Sequence, residues 1–229
     1  MICLENVKHG KNLAVDKNVH FYGDVVLGDN VTIEDNVSIG YRRLTKLRKP
    51  CNENPPTKIR SNVLIRRNTT IYAGCVIGEN STINANTILR EYTEIGSNTS
   101  IGSLCMCEGY TRIGNHCTIH AQCHITAKMV IEDYVFIAPL LSTANDGEIR
   151  YYRPQHTRPD MGPTIKRGAF IGGGVCILPE VTIGEETIVA VGSVVTKDLP
   201  PRVVAMGVPA RVVRKIRDDE RLSAPTEKI

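Results

Sequence analysis

The stretch 95-IGSNTSIGSLCMCEGYTRIGNHCTIHAQCHITAKMVIEDYVFI-137 returns to Ile every sixth residue, at Ile95, Ile101, Ile113, Ile119, Ile125, Ile131 and Ile137, with Cys107 in the remaining slot. The same beat runs back through Leu89, Ile83, Ile77, Ile71 and Ile65 to Ile59, so thirteen of fourteen successive positions are Ile or Leu. Two residues before each beat the side chain is small or β-branched, as at Thr99, Cys105, Thr111, Cys117, Cys123 and Val135. The phase extends upstream through Val15, Phe21, Leu27, Ile33 and Ile39, and downstream from Ile165 to Val195. A period of six fits neither a 3.6-residue helix nor a simple alternating strand. It fits an all-β solenoid in which three short strands and three corners make each 18-residue coil of a triangular prism. The small and aliphatic members of each hexad point inward, and their neighbours point out. The hexads make about eight coils, which at ~4.8 Å per stacked strand gives a prism roughly 40 Å tall.

That phase decides what 116-HCTIHAQCH-124 means. Imidazole and thiolate are zinc ligands, but successive strand residues face opposite sides of a wall. Cys117 and Cys123 take inward positions, while His116, His120 and His124 face out. The sulfurs and imidazoles therefore cannot share an ion, and no metal is expected. Cys75, Cys105 and Cys107 are read as core residues too, since a free Cys packs as a small hydrophobe.

The 229 residues suffice for one large domain, and with no Trp and only three Phe its core must be aliphatic. We divide the chain into a β-helix over 1–216 and a C-terminal helix or tail over 217–229. A net charge of +4 is too mild for a dedicated nucleic-acid binder. The N-terminus carries no apolar run of signal-peptide length. The longest apolar run, 134-YVFIAPLL-141, is too short to span a membrane. A soluble cytoplasmic protein is the expectation. Eight cysteines in a chain of this length do not imply a disulfide framework.

The beat breaks twice. After Ile39 it resumes at Ile59, which predicts a 14-residue insertion within 41–58, rich in Arg42, Arg43, Lys46, Arg48, Lys49 and Lys58. These cations either meet phosphates or are simply solvated. After Ile137 it resumes at Ile165, predicting a 22-residue insertion around 143–164. Long loops on a rigid scaffold are where function concentrates. Counted by hexads, the insertions leave different faces of the prism roughly 22 Å apart, so they are not expected to build one site within a subunit. After Val195, Pro200 and Pro201 are expected to stop the strand ladder. A short charged helix or tail should then follow from Arg211 to Leu222.

The repeats over about 13–216 resemble the hexapeptide-repeat acyltransferase superfamily, whose fold is a left-handed parallel β-helix; the handedness comes from the resemblance alone. The ending 196-TKDLPP-201 with 207-GVPARVVRKI-216 is similar to the signature of acetyl-CoA-dependent members, with Val208 where most relatives have Asn. Gamma-class carbonic anhydrases share that ending. The segments 131-IEDYVFIAPLLSTAND-146 and 162–201 resemble the branch that N-acetylates amino sugars carried on a nucleotide. Galactoside and xenobiotic acetyltransferases have a catalytic His in the loop that here opens with Asn145 and Asp146. Another sugar acetyltransferase branch has its basic His where Ala127 to Met129 stand.

The resemblance implies acetyl transfer from acetyl-CoA to such an amino sugar, for cell-surface polysaccharide precursors. A deprotonated amine is already nucleophilic and needs less base assistance than a hydroxyl. Asn145 would orient the amine or its sugar, and Asp146 would hold a hydroxyl or the ammonium form. The register supplies another possible base in His124, one rung below Ser142 at the loop root; His120 stacks under Ala138, and His156 lies inside the loop. For the cofactor, motif positions carry over to Gly173, Ala190, Thr196, Lys197, Arg211 and Arg214, with Lys166 and Arg167 nearby. Small residues leave a groove for pantetheine, and cations meet its phosphates. Family members are typically homotrimers, and outward Tyr72, Tyr92, Met106 and Tyr134 suit association. Three other readings stand beside this one. They are O-acetylation of a sugar or an amino acid, a metal enzyme like the gamma-class carbonic anhydrases, whose paired H-G-C-x-I-G element is missing, and a non-catalytic scaffold.

Overall fold

The computed structural model describes residues 6–42, 55–147 and 160–222. From Val7 to Val195 the chain visits three walls in strict rotation. Wall A runs from Val7–His9 to Thr182–Ile183, wall B from Ala14–Val15 to Ile188–Val189, and wall C from His20–Phe21 to Val194–Val195. Walls A and C hold nine strands each, and wall B holds eleven because a C-terminal hairpin extends it. The prism is thus a parallel β-helix of nine full coils, one more than the hexad count predicts, because the strands Val7–His9 and Ser142–Thr143 both fall outside the apolar beat.

Stacking is regular because each strand pairs in parallel with the one 18 residues on, as in Val76↔Glu94 and Ile101↔Ile119. The beat residues Ile65, Ile71, Ile77, Ile83, Leu89, Ile101 and Ile125 are fully buried along the axis. The small positions have a second task. Corner carbonyls face the interior, and a short side-chain donor can reach them. Thr87 Oγ1 donates to the Gly102 carbonyl and Thr99 Oγ1 to that of Gly114, each at 2.8 Å. Thiols do the same, Cys105 to the His120 carbonyl at 3.2 Å and Cys117 to that of Glu132 at 3.1 Å. Burial pushes the Cys75 thiol up to about 12 and the Cys117 thiol up to about 11.

The corners require a left-handed residue every six positions, and Asn tolerates that conformation better than other side chains. Asn62, Asn80 and Asn98 all have φ between 55° and 59°. Their amides form a ladder up the A–B edge, with Asn30 to Asn62 and Asn62 to Asn80 each at 2.9 Å. Glycine following the beat is enforced at Gly96, where a Cβ would lie 2.5 Å from the carbonyl carbon of Gly114.

Several expectations need correction. The strand Ser142–Thr143 continues wall C, with Thr143 buried in the beat position. The step Val130↔Thr164 spans 34 residues where 18 is the rule, so the second insertion has sixteen residues rather than 22. A threonine in an aliphatic slot hid one strand. The first insertion has the expected length, shown by the 32-residue step Val25↔Thr57. Both insertions leave the prism between wall C and wall A, so they share one edge, five rungs or ~24 Å apart, and not different faces.

Nor do Pro200 and Pro201 end the ladder. Leu199 bridges Ile183, and Val203–Gly207 pairs in parallel with Ile188–Val189 after a shortened step of 16 residues. Ala210–Lys215 folds back antiparallel, leaving only the 3₁₀ turn Asp218–Glu220 of the expected helix. The β-branched Val203, Val204, Val212 and Val213 favour strands over the helix that charge patterning suggested. No helix among the described residues is long and apolar enough to cross a membrane.

Two measurements test this packing. Ile101→Ala, at a fully buried beat position, should lower unfolding free energy in urea by about 2–5 kcal/mol. Native protein should shield Cys75, Cys105, Cys107, Cys117 and Cys123 from a thiol reagent and release all five on denaturation. Rapid native labelling of Cys117 would show that the inward phase is wrong.

Candidate active site

His124 opens the wall C strand His124–Ile125, whose Ile125 is fully buried, so the imidazole faces outward. It sits in register between Met106 below and Ser142 above. Above it, the hydroxyl of Thr143 accepts the Thr126 N–H and donates to the His124 carbonyl, both at 2.9 Å. An isoleucine in that slot would take this partner from the buried Thr126 N–H and remove the side-chain donor to the His124 carbonyl. The carbonyl of Thr143 lies 3.2 Å from His124 Nδ1.

The other face of the imidazole meets Glu108, whose Oε1 is 3.5 Å from Nε2. Glu108 is held in turn, because its Oε2 accepts the Ala127 N–H at 3.1 Å and the Thr126 hydroxyl at 3.4 Å. Both ring nitrogens of His124 thus face groups of the protein itself. Sequence reading missed Glu108, which is sixteen residues from His124. Its signal was the 18-residue column, which puts Glu108 directly beneath Thr126.

The second insertion departs two residues beyond Thr143. Asn145 is half-buried, and its carbonyl accepts the Met161 N–H at 3.2 Å, while Asp146 is exposed. The returning end is tied to the same edge. Lys128 Nζ donates to the Asp160 carbonyl at 3.2 Å, and the Glu180 N–H donates to the Met161 carbonyl at 3.3 Å. Glu108, His124 and the pair Asn145 and Asp146 therefore lie on three successive rungs at the C–A edge. His156 lies outside the described residues.

The residues expected at the cofactor divide among the edges. Gly173 and Ala190 share the B–C edge, where the Gly192 N–H donates to the Gly173 carbonyl at 2.8 Å. Among the described residues, a Cβ on Gly174 or Gly192 would meet nothing within 4 Å. Ala190 donates its N–H to the Ala205 carbonyl, and Arg211 lies on the next strand of the hairpin, exposed. Arg214 is gripped by Glu220 through two 2.7 Å bonds, which hold the Glu220 carboxyl down at about 2. Thr196 and Lys197 stand on the C–A edge. Lys166 and Arg167 are on the A–B edge, away from both groups. Lys166 is bonded to Glu132 at 2.7 Å, and Arg167 lies over the Tyr134 ring at 4.9 Å.

Among the described residues, no three His, Cys, Asp or Glu side chains converge as a metal site. His116 stacks on Tyr134 at 4.8 Å at the A–B corner, and His120 packs against Phe136 at 5.1 Å on wall B. Neither approaches the His124 corner.

Residues 6–41 and 56–91 match the bacterial transferase hexapeptide family model (six repeats). The chain is 41% identical over 98 residues to galactoside O-acetyltransferase of Escherichia coli K12, a match covering 41% of this chain and 47% of that one. The chain spans about half the length of the curated relatives it matches. Among solved structures, it is similar to a hexapeptide-repeat acetyltransferase of Vibrio cholerae in complex with acetyl coenzyme A. That likeness has 25% identity, 63% and 72% coverage and a TM-score of 0.42. Another is the Arabidopsis UDP-N-acetylglucosamine acyltransferase, at 16% identity, 94% and 74% coverage and a TM-score of 0.45.

Thr143→Val should test the corner's construction. It keeps the volume of the side chain but removes the hydroxyl that pairs the buried Thr126 amide and adds a donor to the His124 carbonyl. The expected loss is about 1–3 kcal/mol of stability by chemical denaturation. Unchanged stability would mean the hydroxyl bridge contributes nothing.

Proposed function

We propose that the chain, whose repeats over 6–41 and 56–91 match the hexapeptide family model, transfers the acetyl group of acetyl-CoA to a sugar acceptor at the edge that carries His124, Glu108, Asn145 and Asp146. The observation that carries this reading is the rooting of the second insertion on the rung directly above His124. That rooting supports a site in which Glu108, His124, Asn145 and Asp146, on three successive rungs, act together at the foot of the insertion. The acceptor group we propose is the amine of an amino sugar carried on a nucleotide. Both nitrogens of His124 already face protein groups, and an amine asks for less base assistance than a hydroxyl. Asn145 would orient the amine, and Asp146 and Glu108 would hold its ammonium form before transfer. The amine then attacks the thioester carbonyl, forming the C–N bond. As the C–S bond breaks, the amine proton passes by way of a carboxylate or water to the departing sulfur, and CoA leaves as its thiol.

The cofactor groove would follow Gly173, Ala190 and Arg211 on the B–C edge, while the acceptor corner is on the C–A edge. The two flank opposite borders of wall C, which suits a site completed between neighbouring prisms of a homotrimer. A supply of acetyl-CoA points to the cytoplasm as the place of reaction.

A second reading, O-acetylation, is favoured by the similarity to the galactoside O-acetyltransferase and by the His124–Glu108 pair, which a hydroxyl acceptor would use as its base. Kinetics separate the two. Under N-acetylation, Asn145→Ala should cut kcat/KM by roughly 30- to 1000-fold with little change in acetyl-CoA affinity, and His124→Ala should cost much less. If His124→Ala is the more damaging and removes a pH-rate limb near the ordinary His range, the acceptor is a hydroxyl. Acetyl-CoA itself should raise Tm, and Arg211→Ala should weaken that shift more than Lys166→Ala. No shift at saturating acetyl-CoA would leave a scaffold.

A further inference from the structure

Of the six tyrosines among the described residues, five stand on the C–A edge: Tyr22, Tyr41, Tyr72, Tyr92 and Tyr110. They occupy the rungs between the roots of the two insertions and the rungs just below. Tyr22, Tyr41 and Tyr72 meet edge-to-face at 5.2 and 5.3 Å, and the Arg90 guanidinium lies over the Tyr72 ring at 5.0 Å. Tyr92 and Tyr110 stack at 4.9 Å with planes 17° apart.

The prism itself does not require these rings. Tyr92 and Tyr110 take left-handed corner positions, with φ of 57° and 62°. A bulky side chain costs roughly 1–2 kcal/mol there. On the other two edges many of the equivalent corners hold Asn, and side-chain amides bond from coil to coil. Strained positions occupied by costly residues tend to mark functional surface. Polar groups stand beside the rings in both signs. Arg90 bonds Glu91 at 2.9 Å, and Glu108 and Lys128 follow on the next two rungs. Alternating aromatic faces with paired acids and bases suit the apolar faces and hydroxyls of sugar rings. The balance of charge does not suit a polyanion.

We infer that the C–A edge between the two insertions is a binding strip for an elongated saccharide of several linked rings, whose terminal sugar reaches the His124 corner. What happens at that corner rests on the acetyltransferase reading; the strip itself rests on the edge. From Tyr41 to His124 the strip climbs four rungs, ~19 Å. Each rung offers a new ring or charged pair, so affinity grows with the number of sugars bound.

Calorimetric titration of the intact protein, in the presence of CoA, tests this with three probes: glucosamine, its β-1,4-linked tetramer and UDP-glucosamine. The tetramer should bind at least tenfold more tightly than the monomer. Tyr41→Ala and Tyr110→Ala should each weaken the tetramer at least fivefold, whereas Tyr110→Phe should not. Tyr134→Ala removes a ring from an equally left-handed corner on the A–B edge and should leave the tetramer affinity unchanged. Equal affinity for monomer and tetramer would overturn the strip, as would equal losses in Tyr134→Ala. So would tighter binding of UDP-glucosamine that depends on the same two tyrosines. Tetramer binding with no thiol release from acetyl-CoA on any of the three probes would refute the acetyltransferase reading and leave the strip standing.

Discussion

The whole molecule depends on one repeated interaction, a parallel strand lying on the strand of the previous coil with their beat residues in contact along the axis. Parallel strands bond evenly but must be covered, and here each wall covers the other two from inside. Fully buried Ile71, Ile77, Ile83 and Leu89 show how little freedom that axis leaves. Once it is set, any outward residue has its neighbour 18 positions away. The surface becomes a set of vertical columns. Function on such a prism is written in columns and edges, and chain distance along the sequence says little about it.

The small inward positions show the same constraint from the polar side. A corner exposes a carbonyl toward the interior, and an unpaired buried carbonyl is costly. Thr, Ser and Cys recur two residues before the beat because they are short enough to fit and carry a donor. Thr143 extends that logic into the beat itself. Its hydroxyl ties the strand before the second insertion to the coil below, where an aliphatic side chain would not. The rung that anchors the candidate site is thus the rung where the apolar pattern fails.

Edges differ from walls in what they tolerate. The A–B edge is satisfied by its own amide ladder from Asn12 to Asn98. The C–A edge gives up that ladder, takes both insertions and gathers the rings and acids around Arg90, Glu108 and His124. Left-handed corners without Asn occur on every edge, as at Leu104, His116 and Tyr134, so what sets the C–A edge apart is that it alone combines both insertions with the run of tyrosines.

The period of six by itself determined the fold class, the inward cysteines, the outward histidines and the register of His124 under Ser142. Those features follow from local repetition, because each coil repeats the one before. Sequence also showed a corner signal that the apolar beat overshadowed, the Asn recurring at 62, 68, 80 and 86, which marks the left-handed turns. The edge from which the second insertion departs was decided only by the tertiary structure, since that depended on one threonine completing a rung. The partnership of His124 with Glu108, the separation of Lys166 and Arg167 from the other cofactor candidates, and the hairpin beyond Pro201 were decided there too. In each case the deciding contact joins residues on different rungs or edges. A one-dimensional pattern registers the phase of a residue, while the edge it reaches depends on how many complete coils have been wound before it.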